Sequence, residues 1–392
     1  MAEAYIVGAL RTATGKNRGR LSQTHPVDLG GMLVDGLIDQ VGIDPENVDD
    51  LIFGCVSQNS EQAGNVARNV ALASKLGESV PGVAVDRQCG SAQQAIHFAA
   101  QAVMSGTQDV VIAGGVESMS RVPMFSNISD SAEKGRGMPK SERLEERYPG
   151  IEFSQFMGAE LLASKYELTR EELDNFGYQS HMKAVDATES GRFREEIMPI
   201  EVTLEGGISF THDADEGIRA NASLEALAGL EPLAEGGMIT AGSASQISDG
   251  SAAVMMANAD AVKKYGLKPR ARIHSLAVVG SDPVIMLEGP IPATQKALEK
   301  VGLKIEDIDL YEINEAFGSV PLAWAKAVGA DLNKLNVNGG AQANGHPLGC
   351  TGAKLMTTLL NELERRKGRY GLLAICEGGG TANCTIIERL DS

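Results

Sequence analysis

Positive charge and aromatic side chains are both in short supply in this 392-residue chain. Lys and Arg number 35 against 52 Asp and Glu, a formal net charge of −17, and aromatic residues make up 4% with one tryptophan. A polyanion would be repelled by such a surface, so nucleic-acid binding is excluded as an expectation, and any anionic ligand needs a local cluster of cations. Cysteines number five (Cys55, Cys89, Cys350, Cys376, Cys384), an odd count with no Cys-x-x-Cys spacing, which argues against a disulfide framework and against a zinc site. No apolar run approaches the roughly 18–20 residues needed to span a bilayer, so no membrane association is expected. The opening Met1-Ala2-Glu3-Ala4-Tyr5 has no basic n-region, and the closing Leu390-Asp391-Ser392 is not a peroxisomal address, so a reducing cytoplasm is the expected location.

What is present suits a large globular protein. Hydrophobic residues at 43% and charged residues at 22% are ordinary for such a chain, and its length allows two or three domains around a sizeable core. Forty-five glycines, most of them beside short apolar runs, favour an α/β architecture.

The chain also resembles itself. The stretch from Val41 to Asp49 (VGIDPENVD) matches that from Val301 to Asp309 (VGLKIEDID), a displacement of 260 residues from 41 to 301. In each copy a helix is expected to end at the glycine and an acidic loop to lead into an apolar strand. Near the same displacement, Asp109 to Gly115 answers Tyr370 to Cys376, both reading as buried strands that end near glycine. Cys89 falls opposite Cys350, each ahead of a helix rich in small residues. Three matched stretches in one register predict a duplicated α/β core with helices on both faces of mixed sheets and others buried between them.

Domain boundaries follow from that repeat. Residues 1–118 form the first half, completed by about 251–268; residues 119–250 form an inserted domain; residues 269–392 form the second half. Within the insertion, residues 126–150 alternate charge and carry prolines, which reads as an exposed loop, and Glu160 to Ala187 reads as helical. An insertion of this kind on a repeated core is a natural substrate-binding lid.

Chemistry concentrates in four motifs. Cys89, in Asp86-Arg87-Gln88-Cys89-Gly90-Ser91, follows an apparent strand and opens a helix, whose N-terminal partial charge would lower the thiol pKa. It reads either as an acyl-accepting nucleophile or as a buried packing cysteine. His346, in Gly345-His346-Pro347, sits in a glycine-rich loop suited to presenting a base, unlike His25, His97, His181, His212 and His274, which read as surface or core residues. Cys376 enters a triple glycine whose amides are free to face an oxyanion, and a tuned thiol there would exchange a proton with a carbon acid. Its neighbour Glu377 is expected to point away from the site by strand alternation. Asn314, in Asn314-Glu315-Ala316-Phe317, lies at a strand's carboxyl end, and reads either as a water- or ligand-holding amide or as a turn residue. Cys55 and Cys384 read as apolar strand residues, and Cys350 as a packing residue at a helix start.

Taken together, these four motifs resemble the thiolase family, the acetyl-CoA C-acyltransferases, and the resemblance runs from Arg11-Thr12 to Ile386-Ile387-Glu388-Arg389. It implies a five-layered αβαβα fold of two similar halves with an inserted loop domain, assembled as a homodimer or homotetramer. It implies that Cys89 is the acylated nucleophile, His346 its activating base and Cys376 the acid/base at the substrate's α-carbon. Asn314, through a water, would share an oxyanion hole with His346, and the amides of Cys89 and Gly378 would form another. The pantetheine channel maps onto Met157, Ser245, Met286, Ala316 and Phe317, with Arg219 near the nucleotide end of coenzyme A. The implied reaction is reversible thiolytic cleavage of a 3-ketoacyl-CoA, or Claisen condensation of acetyl-CoA, with coenzyme A as co-substrate and no resident cofactor or metal.

This chain departs from the family pattern in places. Phe156 stands where members specific for acetoacetyl-CoA often have histidine, Gln342 and Asn344 replace more usual apolar residues, and Thr381-Ala382-Asn383 follows the triple glycine. The sequence around Cys89 and Ser245-Gln246-Ile247-Ser248-Asp249-Gly250 look like degradative bacterial members. The alternatives are a biosynthetic acetoacetyl-CoA-forming acetyltransferase, a 3-ketoacyl synthase, and a non-catalytic lipid-binding relative. The second cysteine argues against the synthase, and the retention of all four groups against the silent relative.

Overall fold

Helix ends mark the repeat in the backbone. In the computed structural model, which describes residues 3–204 and 206–391, helix α1 (Pro26–Val41) begins with proline in its first turn and stops at Gly42, whose φ of 73° lets its N–H reach back to the Ile38 carbonyl. A single 3₁₀ turn, Pro45–Asn47, then leads into strand β2 (Asp50–Gly54). The second copy repeats this order in helix α8 (Pro290–Val301), Gly302 at φ 68°, the turn Ile305–Asp307 and strand β7 (Leu310–Ile313). Met1, Ala2 and Ser392, on which part of the targeting expectation rests, lie outside the described residues.

The first half contributes strands β1 (Tyr5–Thr12), β2, β3 (Gly82–Val85), β4 (Val110–Ser118) and β5 (Ser248–Ala257), with helices α1, α2 (Val66–Leu72) and α3 (Ser91–Ser105). The second contributes β6 (Ala271–Gly280), β7, β8 (Tyr370–Glu377) and β9 (Thr381–Arg389), with helices α8, α9 (Ser319–Val328) and α10 (Thr351–Arg366). Strand order is β3-β2-β4-β5-β1 in the first half and β7-β8-β9-β6 in the second, extended beyond β7 by a parallel bridge between Tyr311 and Leu335. In both, two parallel neighbours are followed by antiparallel ones. Strands β1 and β6 join the two sheets through only two antiparallel pairs, Tyr5 with Arg272 and Ile6 with Ala271.

Three apolar clusters define the layers. Leu29, Leu33, Leu37 and Val70 of α1 and α2 pack on Leu51, Phe53 and Met255 on the outer face of the first sheet. Ala95, Ile96 and Ala99 of α3 lie with Leu355, Leu359 and Leu363 of α10 between the sheets, against Ala113, Val254, Leu373 and Ile375. Ile291, Ala297 and Trp324 of α8 and α9 cover Tyr311, Leu372 and Ile386 on the outer face of the second sheet. This is the αβαβα arrangement. Helix α3 presents mainly alanines (Ala92, Ala95, Ala99, Ala100) to this middle layer, which lets it fit beside the leucine-rich α10 between two sheets.

Between β4 and β5 run helices α4 (Ser126–Glu133), α5 (Glu142–Arg147), α6 (Gln155–Lys165) and α7 (Arg170–Glu189), followed by a hairpin of Ile200–Thr203 with Ser209–His212. Two expectations need correction. Residues 126–150 are not simply loop, since they carry two short helices; α4 buries only Ser126 and α5 buries nothing, so neither shows an apolar stripe. The helical stretch from Glu160 is broken at Tyr166–Thr169, where Thr169 and Glu172 form a capping box that starts α7 anew.

Charge is buried beneath the junction of insertion and core. The Arg11 guanidinium, 1% exposed, donates to Glu196 Oε1 at 2.7 Å and to both oxygens of Asp215 at 2.8 and 3.1 Å, while the Thr14 amide donates to Asp215 at 2.7 Å. Removing the cation strands two buried carboxylates, so Arg11→Met is expected to cost about 3–5 kcal/mol. Urea titration should show a lowered midpoint at unchanged slope; a midpoint within error of the native protein would contradict the role given to this cluster.

Candidate active site

The nucleophile candidate sits on a strained turn. Between β3 and α3, Gln88 adopts φ 51°, a left-handed conformation unusual outside glycine. The turn is pinned because the Gln88 amide donates to Asp86 Oδ1 at 2.7 Å, the Arg87 amide donates to Ser91 Oγ at 2.9 Å, and that hydroxyl donates to the Gln88 carbonyl at 2.6 Å. Cys89, 7% exposed, thereby lines a cavity of about 280 Å³ whose wall includes Val56, Met124, Phe125, Ile128, Phe153, Met286, Leu348 and the backbone at Gly378.

His346 lines a second cavity of about 510 Å³ together with Lys16, Met119, Phe156, Arg219, Ser245, Ala316 and Phe317. Met124, Gln155 and Leu348 belong to the walls of both cavities, so the two spaces adjoin. Gly345 turns the loop at φ 81°, and the His346 amide donates to Ser248 Oγ at 2.8 Å. The ring is 3% exposed. Its Nδ1 lies 2.6 Å from Thr351 Oγ1, which itself donates to the Pro347 carbonyl at 2.8 Å, so Nδ1 carries the proton and donates. The Nε2 lone pair then faces Asn314 Nδ2 at 3.3 Å. Burial, reinforced by the Lys354 ammonium, lowers the imidazole pKa to about 3. Such a ring takes up a proton only in company with a new anion beside it.

Asn314 follows β7 directly, held by its amide's bond to the Ala374 carbonyl at 3.1 Å. Its Oδ1 is buried without a hydrogen-bond partner, the kind of orphan acceptor that an ordered water satisfies. Cys376, 1% exposed, is the penultimate residue of β8, opposite Ala382. Burial first, then the neighbouring Cys89 and Glu377, hold its thiol well above its ordinary pKa, so it carries its proton.

Two expectations about charge are overturned. The helix start does not lower the Cys89 pKa. Burial raises it to about 12, with Glu377 as the next cause, because Ser91 is the first helical residue and the sulfur lies ahead of the helix in a desolvated turn. Nor does Glu377 point away. Alternation does set Cys376 and Glu377 on opposite faces of β8, but α3 lies under the face that Glu377 occupies.

The remaining expected residues divide between the cavities. Arg219, Ser245, Ala316 and Phe317 share the His346 cavity, with the Ser245 amide donating to the Ala316 carbonyl at 2.9 Å. Met286 belongs instead to the Cys89 cavity. Met157, on α6, is 53% exposed and lines neither cavity; its neighbour Phe156 takes the place, stacking edge-on against Phe317 at 5.5 Å. Sequence reasoning missed Thr351, which fixes the imidazole although it stands only five residues beyond it, and Ser248, which holds the loop's backbone at His346. It also missed Glu117, whose carboxylate accepts from the amides of Val56, Ser57 and Gly349 and so ties the histidine loop to the end of β4.

A layered α/β core that sets a buried thiol and a neutral imidazole on the walls of adjoining cavities, with a second buried thiol near the first and a carboxamide against the imidazole, suits an acyl-transferring enzyme. Family models agree with that geometry: the N-terminal domain of thiolase matches residues 4–260 and the C-terminal domain residues 267–389. The chain belongs to the thiolase family and is an acyltransferase. Over its whole length it is 55% identical to the steroid 3-ketoacyl-CoA thiolase FadA6 of Mycobacterium tuberculosis, covering 95% of that protein, and 42% identical to a 3-ketoacyl-CoA thiolase of Idiomarina loihiensis, covering all of it. The crystal structure of the Bacillus anthracis acetyl-CoA acetyltransferase superimposes with a TM-score of 0.91 at 38% identity, over 100% of this chain and 99% of that one. Among the described residues no helix is long and apolar enough to cross a membrane.

Proposed function

We propose that this thiolase works in the degradative direction, cleaving 3-ketoacyl-CoA thioesters whose acyl group is larger than acetyl, through an acyl-enzyme on Cys89. The observation that carries the reading is the apolar cavity beside Cys89, adjoining the one that holds His346. The Cys89 sulfur attacks the 3-keto carbon while His346 Nε2 takes the thiol proton. The Cα–Cβ bond then breaks, its electron pair passes into the acetyl-CoA enolate, and Cys376 donates its proton to that carbon. Free coenzyme A next gives its thiol proton to the Cys376 thiolate and attacks the acyl-enzyme; the shortened acyl-CoA leaves, and His346 returns its proton to the departing Cys89 sulfur.

Developing negative charge on oxygen meets the amides of Cys89 and Gly378 at one position, and His346 with a water on the Asn314 amide at the other. Coenzyme A is the co-substrate, its pantetheine running past Ser245, Ala316 and Phe317 toward the cations Arg219 and Lys16. Those two cations give local positive charge to an acidic surface. The same reading makes the enzyme a cytoplasmic homodimer or homotetramer; the outer edge of β3, where Val83 is 45% exposed, is the strand edge available to a second copy.

Acyl size is the testable part. Seven apolar side chains line the Cys89 cavity, two of them methionines that reshape easily. Thiolysis of longer or ring-bearing 3-ketoacyl-CoAs is expected to exceed that of acetoacetyl-CoA by at least about tenfold in kcat/KM, the effect of burying a few additional methylenes. The mycobacterial relative, a steroid 3-ketoacyl-CoA thiolase by name, supports bulky acyl groups, whereas the Bacillus protein is named for acetyl transfer. A panel in which acetoacetyl-CoA is the best substrate would favour the biosynthetic acetyltransferase reading.

A further inference from the structure

Beside the two cysteines stands a carboxyl group that the reaction described above does not use. Glu377 closes β8, and its Oε2 accepts a hydrogen bond from Thr381 Oγ1 at 2.7 Å. Its Oε1 is buried with no hydrogen-bond partner. That free oxygen presses on the backbone just after Cys89: a Cβ built on Gly90 would stand 1.8 Å from it, so a side chain there would have to displace the carboxyl. The contact continues one residue further along, where a Cβ on Gly378 would stand 3.0 Å from Gln88 Oε1. The charged and titratable groups around the pair are Arg87 and Asp86 on the turn before α3, Glu117 at the end of β4, and Cys376 itself.

We propose that Glu377 is a positioning residue and a proton gate: as a neutral acid it lets the Cys89 sulfur become anionic, and as a carboxylate it holds that sulfur in its thiol form. The physical reason is like-charge proximity in a desolvated pocket: the carboxyl lies against the residue next to Cys89, and two anions so close disfavour each other strongly. Burial, opposed by Thr381 and Arg87, brings the Glu377 pKa up to about 8, so the gate changes state near neutrality. Acylation therefore acquires an alkaline limit that the two cysteines and the histidine alone do not explain. The inference rests on Cys89 being the nucleophile.

The test reads thiol chemistry and does not require turnover. Iodoacetamide labelling of Cys89 is followed by peptide mass spectrometry from pH 6 to 10 in the full-length protein, in Glu377→Gln and in Thr381→Val. The glutamine variant is expected to be labelled about tenfold faster at pH 9 than the native protein, the equivalent of one pKa unit. It should also lose the alkaline fall in kcat/KM. Thr381→Val keeps the carboxyl but removes the one side-chain hydrogen bond that favours its ionised form, so it is expected to shift the same way by a smaller factor; it decides the matter if the glutamine variant misfolds. Parallel labelling profiles in all three proteins would overturn the gate alone. An acyl group recovered on another residue would overturn the nucleophile assignment, and the gate with it.

Discussion

Cys89→Ser is expected to abolish the acyl-enzyme and lower turnover by at least about 10³-fold, roughly 4 kcal/mol of barrier. A hydroxyl is far less acidic than a thiol, and the base beside it is weak. The His346 imidazole, with its pKa lowered to about 3, accepts a proton only when a readily formed anion accompanies it. Cys89 meets that demand with its pKa already raised to about 12 by burial and by Glu377, leaving little margin for a poorer acid. Intact mass after incubation with acetyl-CoA should show one added acetyl group on the native protein and none on the variant. An adduct of equal yield on the serine protein would move the role to another residue.

Cys376→Ser separates the two halves of the reaction. Acylation from acetyl-CoA makes and breaks only bonds to the carbonyl carbon, so the variant should still gain its acetyl group. Condensation and its reverse require a proton to leave or join the α-carbon, and both should fall by about 10²–10⁴-fold, the usual worth of a positioned acid–base group. Burial keeps the native thiol protonated and therefore ready to donate in the cleavage direction. Normal thiolysis of a 3-ketoacyl-CoA by this variant, measured as acetyl-CoA release, would remove Cys376 from the mechanism.

The repeat was legible because its signals are local: a glycine that must adopt positive φ to close a helix, then an acidic turn before a strand, both twice over after Gly42 and Gly302. The candidate cysteines and histidine were legible for the same reason, each flanked by glycine or close to it. What stayed hidden depends on which layer lies against which face. Alternation separated Glu377 from Cys376 correctly, yet the sequence carries no mark that the helix of Cys89 occupies the far side of that strand. Helices α4 and α5 escaped notice because they pack almost nothing, so no apolar period records them. Met157 illustrates the reverse: a position inferred by family likeness projects outward, and the side chain at the cavity wall belongs to Phe156.

Only two residue pairs stitch β1 to β6, while the helices α3 and α10 are sandwiched wholly between the sheets. Neither half can shield both faces of its own sheet, and the candidate groups are divided between them, Cys89 standing in one and His346, Asn314 and Cys376 in the other. Expressed apart, each half would leave its central helix with one bare apolar face, so the two halves are expected to unfold as one cooperative unit.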